Sequence, residues 1–256
     1  MFKIVIHDAM SSLRMRLENR HVSPIHMMRG ILNETARPDQ LVIWAWDGRG
    51  GNDARRAIFP GYKDRPPTPD ATHVALRFLK ELLGHPAAWQ AQLDGFEGDD
   101  MVAALLERFR GTAPIEIVSR DGDLTALCGP GVTCKAPAPA PPGWIRLYKL
   151  TVGDPADRIP GISGFGKGAW ASSDLPALEQ VIQAYLDGLE VSEDRALSAG
   201  LSKRHINWLE HNRPTLLAMK QIIDPLPISP EQLEASLVQG TDNPAAREAI
   251  LGKFLQ

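Results

Sequence analysis

Three short apolar runs in this chain each lead into an aspartate. "FKIVI" at 2–6 is followed by His7 and Asp8, "LVIWAW" at 41–46 by Asp47, and "IEIV" at 115–118 by Ser119, Arg120 and Asp121. Runs this short and this rich in Val, Ile and Trp suit strands buried on both faces, as in a parallel sheet. Helical patterns stand between them. One opens at Ser23-Pro24 and carries Met28, Ile31 and Leu32, another carries Phe78, Leu79, Leu82 and Leu83, and a third carries Val102, Leu105, Leu106 and Phe109. The alternation predicts an α/β fold, a mostly parallel sheet flanked by helices. In such sheets ligands bind beyond the carboxyl ends of the strands, the edge at which all three aspartates would emerge. One aspartate there is ordinary turn chemistry. Three of them, with Asp123 two residues beyond Asp121, point to a site.

The stretch "GFEGDDMVAALLERF" at 95–109 adds Glu97, Asp99 and Asp100 directly ahead of an apolar helix. One or two acids suit a helix's first turn, where exposed N–H groups favour negative charge. Three so close repel one another unless a cation shares them. On a regular helix Glu97 and Asp99 would point about 200° apart, at roughly 100° per residue. Gly98 permits a bend, which places Glu97 in the entering loop and the two aspartates in the first turn. A carboxylate set without His or Cys suits hard divalent cations, Mg²⁺ or Mn²⁺.

The 256-residue chain has 43% hydrophobic and 23% charged residues, ordinary values for a globular protein. No apolar run is long enough to span a bilayer, and the N-terminus has no signal-peptide pattern, so no membrane role is expected. Cys128 and Cys134 read as free thiols, which places the chain in the cytoplasm. The net charge of −3 argues against a nucleic-acid partner until the metal-binding acids are set aside. The remainder is then basic, and charge placement outweighs the sum.

In "VGDPADRIPGISGFGKGA", 152–169, Gly161 to Lys167 fits the start of a phosphate-binding P-loop. Gly168 stands where Ser or Thr is required, and no strand leads in, so that reading fails. The alternative is a helix–hairpin–helix whose Gly-rich turn offers backbone N–H groups to a phosphate. Asp154 and Asp157, spaced i, i+3, would face one way from the helical turn before it. Leu178, Val181, Ile182, Tyr185, Leu186 and Leu189 predict an amphipathic helix behind it. The segment "RRAIFPGYKDRPPTPD", 55–70, interleaves Arg55, Arg56, Lys63 and Arg65 with Phe59 and Tyr62, a pattern suited to a phosphate backbone and exposed bases. His7 reads as a structural histidine at a strand end, and 205–256 as packing helices that close back on the α/β part.

In this order the motifs resemble those of the 5′-nuclease family, which includes the 5′-nuclease domain of bacterial DNA polymerase I and bacteriophage flap endonucleases. The similarity runs from Pro24 to Lys167 and more loosely beyond. "YKDRPPTPD" resembles the stretch that begins the helical arch, about 62–85. "FEGDD" resembles E-A-D-D with Gly98 for Ala, "SRDGDLTAL" resembles T-x-D-x-D-x-x-Q-L, and "VGDPADRIPGISGFG" resembles G-D-x-S-D-N-I-P-G-V-x-G-I-G. The resemblance implies a PIN-like α/β nuclease domain over 1–150 and a helix–hairpin–helix DNA-binding region over 151–256. It implies two or more Mg²⁺ or Mn²⁺ ions, with Asp8, Asp47, Glu97, Asp99 and Asp100 at the first and Asp123, Asp154 and Asp157 at the second. Asp121 lies near both. Lys63 and Arg65 correspond to arch cations at the scissile phosphate, so with Asp121 they are the catalytic candidates. Arg55, Arg56, Tyr62, Lys63, Arg65, Gly161, Gly164, Gly166 and Lys167 are the DNA-binding candidates, and the hairpin backbone is a candidate K⁺ site.

The sequence departs from the family pattern in places. Gly168 takes the usual hairpin lysine position, Arg158 replaces Asn, and "CGPGVTCKAPAPAPPGW" is short and Pro/Ala-rich where relatives carry a strand pair and a helix. The expected activity is divalent-metal hydrolysis of DNA at 5′ ends, flaps or nicks by a monomer linked in function to a DNA polymerase. The alternatives are a PIN-type ribonuclease and a non-catalytic DNA-junction-binding protein.

Overall fold

The computed structural model describes residues 2–17, 23–35, 37–64 and 70–254. Lys3–Asp8 (β1), Gln40–Trp46 (β2), Trp89–Gln92 (β3), Ile115–Val118 (β4), Val132–Cys134 (β5) and Leu237–Gln239 (β6) form one sheet in the order β5-β4-β1-β2-β3-β6. All pairs are parallel except β3–β6. The expected mostly parallel sheet is therefore present, with an antiparallel strand on one edge.

The apolar runs become strands because both faces are buried. Ile4 and Ile6 of β1, Ile43 and Ala45 of β2, and Ile115 and Ile117 of β4 enter one core, which the Gly98–Phe109 helix closes through Met101, Val102, Leu105 and Leu106. Val5, Val42, Trp44 and Trp46 alternate to the opposite face and pack against the Ala9–Leu17, Pro24–Thr35 and Asp70–Leu82 helices. A period of two residues thus feeds two separate cores from the same strands.

The chain divides into two compact units, interleaved along the sequence. The sheet and its helices occupy 1–51, 66–137 and 226–256. The second unit, 52–65 and 138–225, is helical. Its core gathers Leu178, Val181, Ile182, Tyr185 and Leu186 from the Leu175–Asp187 helix with Leu209, Leu216 and Met219. Leu189, expected on the same stripe, lies past the left-handed Gly188 cap and is 61% exposed.

Residues 205–256 were expected to be packing helices throughout. The structure instead inserts β6 between the Pro230–Ser236 and Pro244–Phe254 helices. The Pro/Ala-rich segment also holds more structure than its composition suggests, with β5 and a 3-10 turn at Pro142–Trp144 that leads into the helix Ile145–Thr151. Among the described residues, no helix is long and apolar enough to cross a membrane.

Candidate metal centre and nucleic-acid interface

The register of β1 with its neighbours, His7 opposite both Trp44 and Val118, brings the carboxyl ends of three parallel strands level. Asp8 closes β1, Asp47 follows β2 directly, and Asp121 lies three residues past β4. Asp8 is buried, its Oδ1 accepting the Ser11 N–H at 3.1 Å and its Oδ2 the Ser119 hydroxyl at 2.8 Å. Burial pushes the Asp8 carboxyl up to about 6, against the pull of these two donors and with the nearby Asp47 and Asp121 charges adding to the rise. A cation shared among these acids would reverse that rise.

Hydroxyl and amide donors fix the third loop. Ser119 Oγ accepts the Asp121 N–H at 2.9 Å, and Asp121 Oδ1 accepts the Asp123 N–H at 2.9 Å, opening a 3-10 turn. Ser11 Oγ accepts the Arg120 N–H at 2.7 Å. Ser11 and Ser119 therefore orient the acids, a role that their place in the sequence does not announce. His7 is buried, stacked on Trp44 at 4.1 Å, and burial holds its ring down to about 3. It is structural.

The FEGDD stretch takes the arrangement that its sequence suggested. Glu97 is the N-cap of the Gly98–Phe109 helix, with Asp99 half-buried and Asp100 fully buried in the first turn. The chain bends at Glu97–Gly98, and the Gly98 N–H donates to Asp47 Oδ1 at 2.7 Å. A Cβ on Gly98 would stand 3.0 Å from that same oxygen, so glycine suits the contact. Asp100 completes the capping box. Its Oδ2 accepts the Glu97 N–H at 3.0 Å and its Oδ1 the Leu226 N–H at 2.7 Å. Both Asp100 oxygens thus serve backbone donors, one buried and one half-buried, which marks it as a holder of the acidic loop.

In the helical unit, the expectation that Asp154 and Asp157 project from a helical turn gives way to a tighter arrangement. The Ile145–Thr151 helix has ended, and Asp154 and Ile159 exchange two 2.8 Å backbone hydrogen bonds across an antiparallel bridge. Both carboxylates still converge, on the buried ammonium of Lys149, at 2.8 Å from Asp154 and 3.0 Å from Asp157. Burial alone would raise Asp154, but Lys149 outweighs it and holds the carboxyl below its usual range. Sequence reading missed Lys149. Its signal was a lone lysine five residues ahead of Asp154, set between Tyr148 and Leu150 in a short helix that is otherwise largely apolar.

The basic segment separates into buried and accessible parts. Arg55 and Tyr62, expected to meet DNA, are both buried. The Arg55 guanidinium donates to the carbonyls of Ile222 at 3.0 Å and Asp224 at 3.2 Å, closing the end of the Arg213–Ile223 helix. Tyr62 belongs to the apolar core. These two residues hold the segment in place and are unavailable to stack on bases. Arg56 is exposed, and Lys63 is half-buried, its ammonium 5.2 Å from the Tyr62 ring centre. Arg65 lies outside the described residues. Gly161 is buried, and a Cβ there would meet Gly153 N and Thr151 O at 2.6 Å, so this glycine answers to packing. Gly164, Gly166 and Lys167 are exposed.

The model of the 5′-3′ exonuclease N-terminal resolvase-like domain matches residues 9–142. DNA polymerase I of Caldicellulosiruptor bescii is 27% identical over 243 residues, 79% of this chain and 28% of the polymerase. A 5′-3′ exonuclease of Aquifex aeolicus is 32% identical over 146 residues, 51% of this chain and 50% of that protein. The chain thus spans from about a quarter to half the length of these relatives. Among solved structures, zinc-bound T5 5′-exonuclease superposes with a TM-score of 0.60 at 16% identity, over 99% of this chain and 98% of that one. The bacteriophage T5 flap endonuclease complex with DNA and metal ions gives 0.62 at 15%, over 99% and 100%. These two show the same fold, a PIN-like sheet with flanking helices. With the family model matching just over half of its length, this chain belongs to the 5′-3′ exonuclease family.

Proposed function

We propose that this protein is a structure-selective 5′-nuclease that hydrolyses DNA phosphodiester bonds at or near 5′ ends, flaps or nicks. The observation that carries the reading is the convergence of Asp8, Asp47 and Asp121 at the carboxyl ends of three parallel strands, with Asp8 raised by burial and by its acidic neighbours. An all-oxygen donor set of this kind fits hard divalent cations, so Mg²⁺ or Mn²⁺ is the proposed cofactor. Asp8, Asp47, Glu97 and Asp99 would hold one ion, with Asp100 keeping their loop in place. The motif resemblance assigns Asp123, Asp154 and Asp157 to a second, with Asp121 near both. The division of labour follows the two interleaved units rather than the expected break at residue 150: the strand-end acids stand in 1–51 and 66–137, and the proposed DNA-binding residues in 52–65 and 138–225. A K⁺ at the hairpin backbone belongs to the same proposal.

When bound, the divalent cations supply Lewis-acid polarisation of the phosphodiester and charge neutralisation. The chain's own groups do the rest. Ser11 and Ser119 keep the Asp8 oxygens aimed by donating to them. Lys63 places a cation where negative charge develops on the phosphate. Arg56, the exposed hairpin residues Gly164 and Gly166, and Lys167 bind the backbone of the strand without reading bases. Arg65 would act beside Lys63. The products would be a 5′-phosphate and a 3′-hydroxyl. The protein is proposed to act as a monomer in the cytoplasm, in functional partnership with a DNA polymerase.

End-labelled 5′-flap, 5′-overhang, nicked-duplex and single-stranded DNA, with matched RNA, incubated with Mg²⁺, test the reading. Cleavage near the flap base or stepwise from 5′ ends of DNA supports it. Preferential RNA cleavage, or no cleavage with either Mg²⁺ or Mn²⁺, contradicts it.

A further inference from the structure

Among the described residues, Lys63 at φ 46° and Arg158 at φ 60° are the two non-glycine residues with positive φ. Both lie in the helical unit, on turns that touch. The Lys63 N–H donates to the carbonyl of Asp157, the residue before Arg158, at 3.2 Å. Arg158 Nη1 stands 4.0 Å from Asp64 Oδ2, beside Lys63 in sequence. Arg56 belongs to the same patch, its guanidinium donating to the carbonyls of Tyr62 at 3.2 Å and Lys63 at 3.3 Å.

Arginine is an awkward occupant of Arg158's backbone position. The left-handed region suits glycine because the Cβ of an L residue crowds the following carbonyl, and then asparagine because its short polar side chain can hydrogen-bond locally. The ion pair with Asp64 does little to offset this, since the side chains are 58% and 74% exposed and a 4.0 Å separation in water is worth little. A strained residue whose side chain does not stabilise the fold is a candidate for function. A guanidinium presents a planar fork of donors that matches phosphate oxygens.

We propose that Arg158 is a phosphate-binding residue that, with Lys63 and Arg56, forms a basic platform for the backbone of a DNA strand. The contact is electrostatic and independent of base sequence, with Asp64 yielding the guanidinium when phosphate arrives. The inference rests on the DNA-nuclease reading above and extends it to a residue at which the chain departs from the family motif.

The test measures binding of a fluorescent 5′-flap DNA by anisotropy in Ca²⁺ across roughly 50–200 mM KCl, alongside thermal melting. Wild type is compared with Arg158→Asn and Arg158→Lys. The expected result for Arg158→Asn is affinity weakened about three- to tenfold and a log–log salt slope shallower by about one. Its melting temperature should rise, because asparagine tolerates the left-handed backbone. Arg158→Lys should keep the slope. Wild-type affinity and slope in Arg158→Asn would overturn the proposal, as would lost affinity together with a lower melting temperature. Separately, wild-type protein that neither binds flap DNA nor cuts it in Mg²⁺ would overturn the nuclease reading itself.

Discussion

The Nζ of Lys149 lies 2.8 Å from a carboxylate oxygen of Asp154, and the same ammonium reaches Asp157 at 3.0 Å. With side chains 7%, 21% and 13% exposed, this is an ion triad largely removed from water. One lysine sets the spacing of two proposed metal carboxylates.

Replacing Lys149 with Met leaves two partly buried carboxylates facing each other without their cation. Loss of one partner of a buried pair destabilises by about 3–5 kcal/mol. Urea denaturation in EDTA should show a loss of that order, with Asp154 titrating at higher pH. Added Mg²⁺ should recover part of the stability, because a divalent ion can take over the neutralising role. No recovery would mean that these acids do not bind the ion.

Asp100→Ala should destabilise even with no metal present. Its two oxygens accept from the Glu97 and Leu226 backbone N–H groups, and the residue is fully buried. A buried donor left unmet costs about 1–3 kcal/mol, which applies in full to the Glu97 N–H and in part to the half-buried Leu226 N–H. Chemical denaturation in EDTA measures this directly. A residue kept mainly as a metal ligand would behave oppositely, since deleting a repelled carboxylate stabilises the metal-free protein.

Asp8→Asn isolates the titration of the most buried strand-end acid. A folded pKa near 6, above its ordinary 3.8, means that the folded state binds this proton more tightly than the unfolded chain does. The resulting stability is fully present below the unfolded pKa and is lost as pH rises through 6. In EDTA at pH 7.5, wild type should therefore be less stable than Asp8→Asn, by up to roughly 3 kcal/mol. The difference should shrink as pH falls from 6 toward 4. The buried His7 is common to both proteins, whereas Asp47 and Asp121, whose charges help raise Asp8, respond to the substitution and are part of the measured difference. Mg²⁺ at pH 7.5 should narrow the gap from the wild-type side.

What sequence could and could not reveal follows from the range of each interaction. β1, β2 and β4 announce themselves through clusters of buried Ile, Val and Trp, which Lys3 and Glu116 interrupt without hiding. β3 does not, because Gln90 and Gln92 break its run, with Gln92 tied through its side chain to the Asp47 carbonyl. β5 and β6, three residues each, are too short to leave a pattern. The positions of the acids are legible, since a strand end or helix start is a local event. Their partners are not. Leu226 meets Asp100 across 126 residues, and Ser119 meets Asp8 across 111. Arg55 and Tyr62 illustrate the opposite error. Interleaved charge and aromaticity look the same in sequence whether a side chain faces solvent or, as here, packs inside.

The most direct measurement is Mg²⁺-dependent cleavage of an end-labelled 5′-flap DNA by wild type and Asp121→Ala, with DNA binding of both followed in parallel. Asp121 is half-buried beyond β4, and its loss removes one turn cap, the Asp123 N–H contact, while the sheet and DNA binding should stay in place. Wild type should show Mg²⁺-dependent cleavage, abolished by EDTA, and Asp121→Ala a rate lowered by about 10²-fold or more with affinity retained. Cleavage by Asp121→Ala at the wild-type rate would contradict the assignment of the strand-end acids as the metal centre.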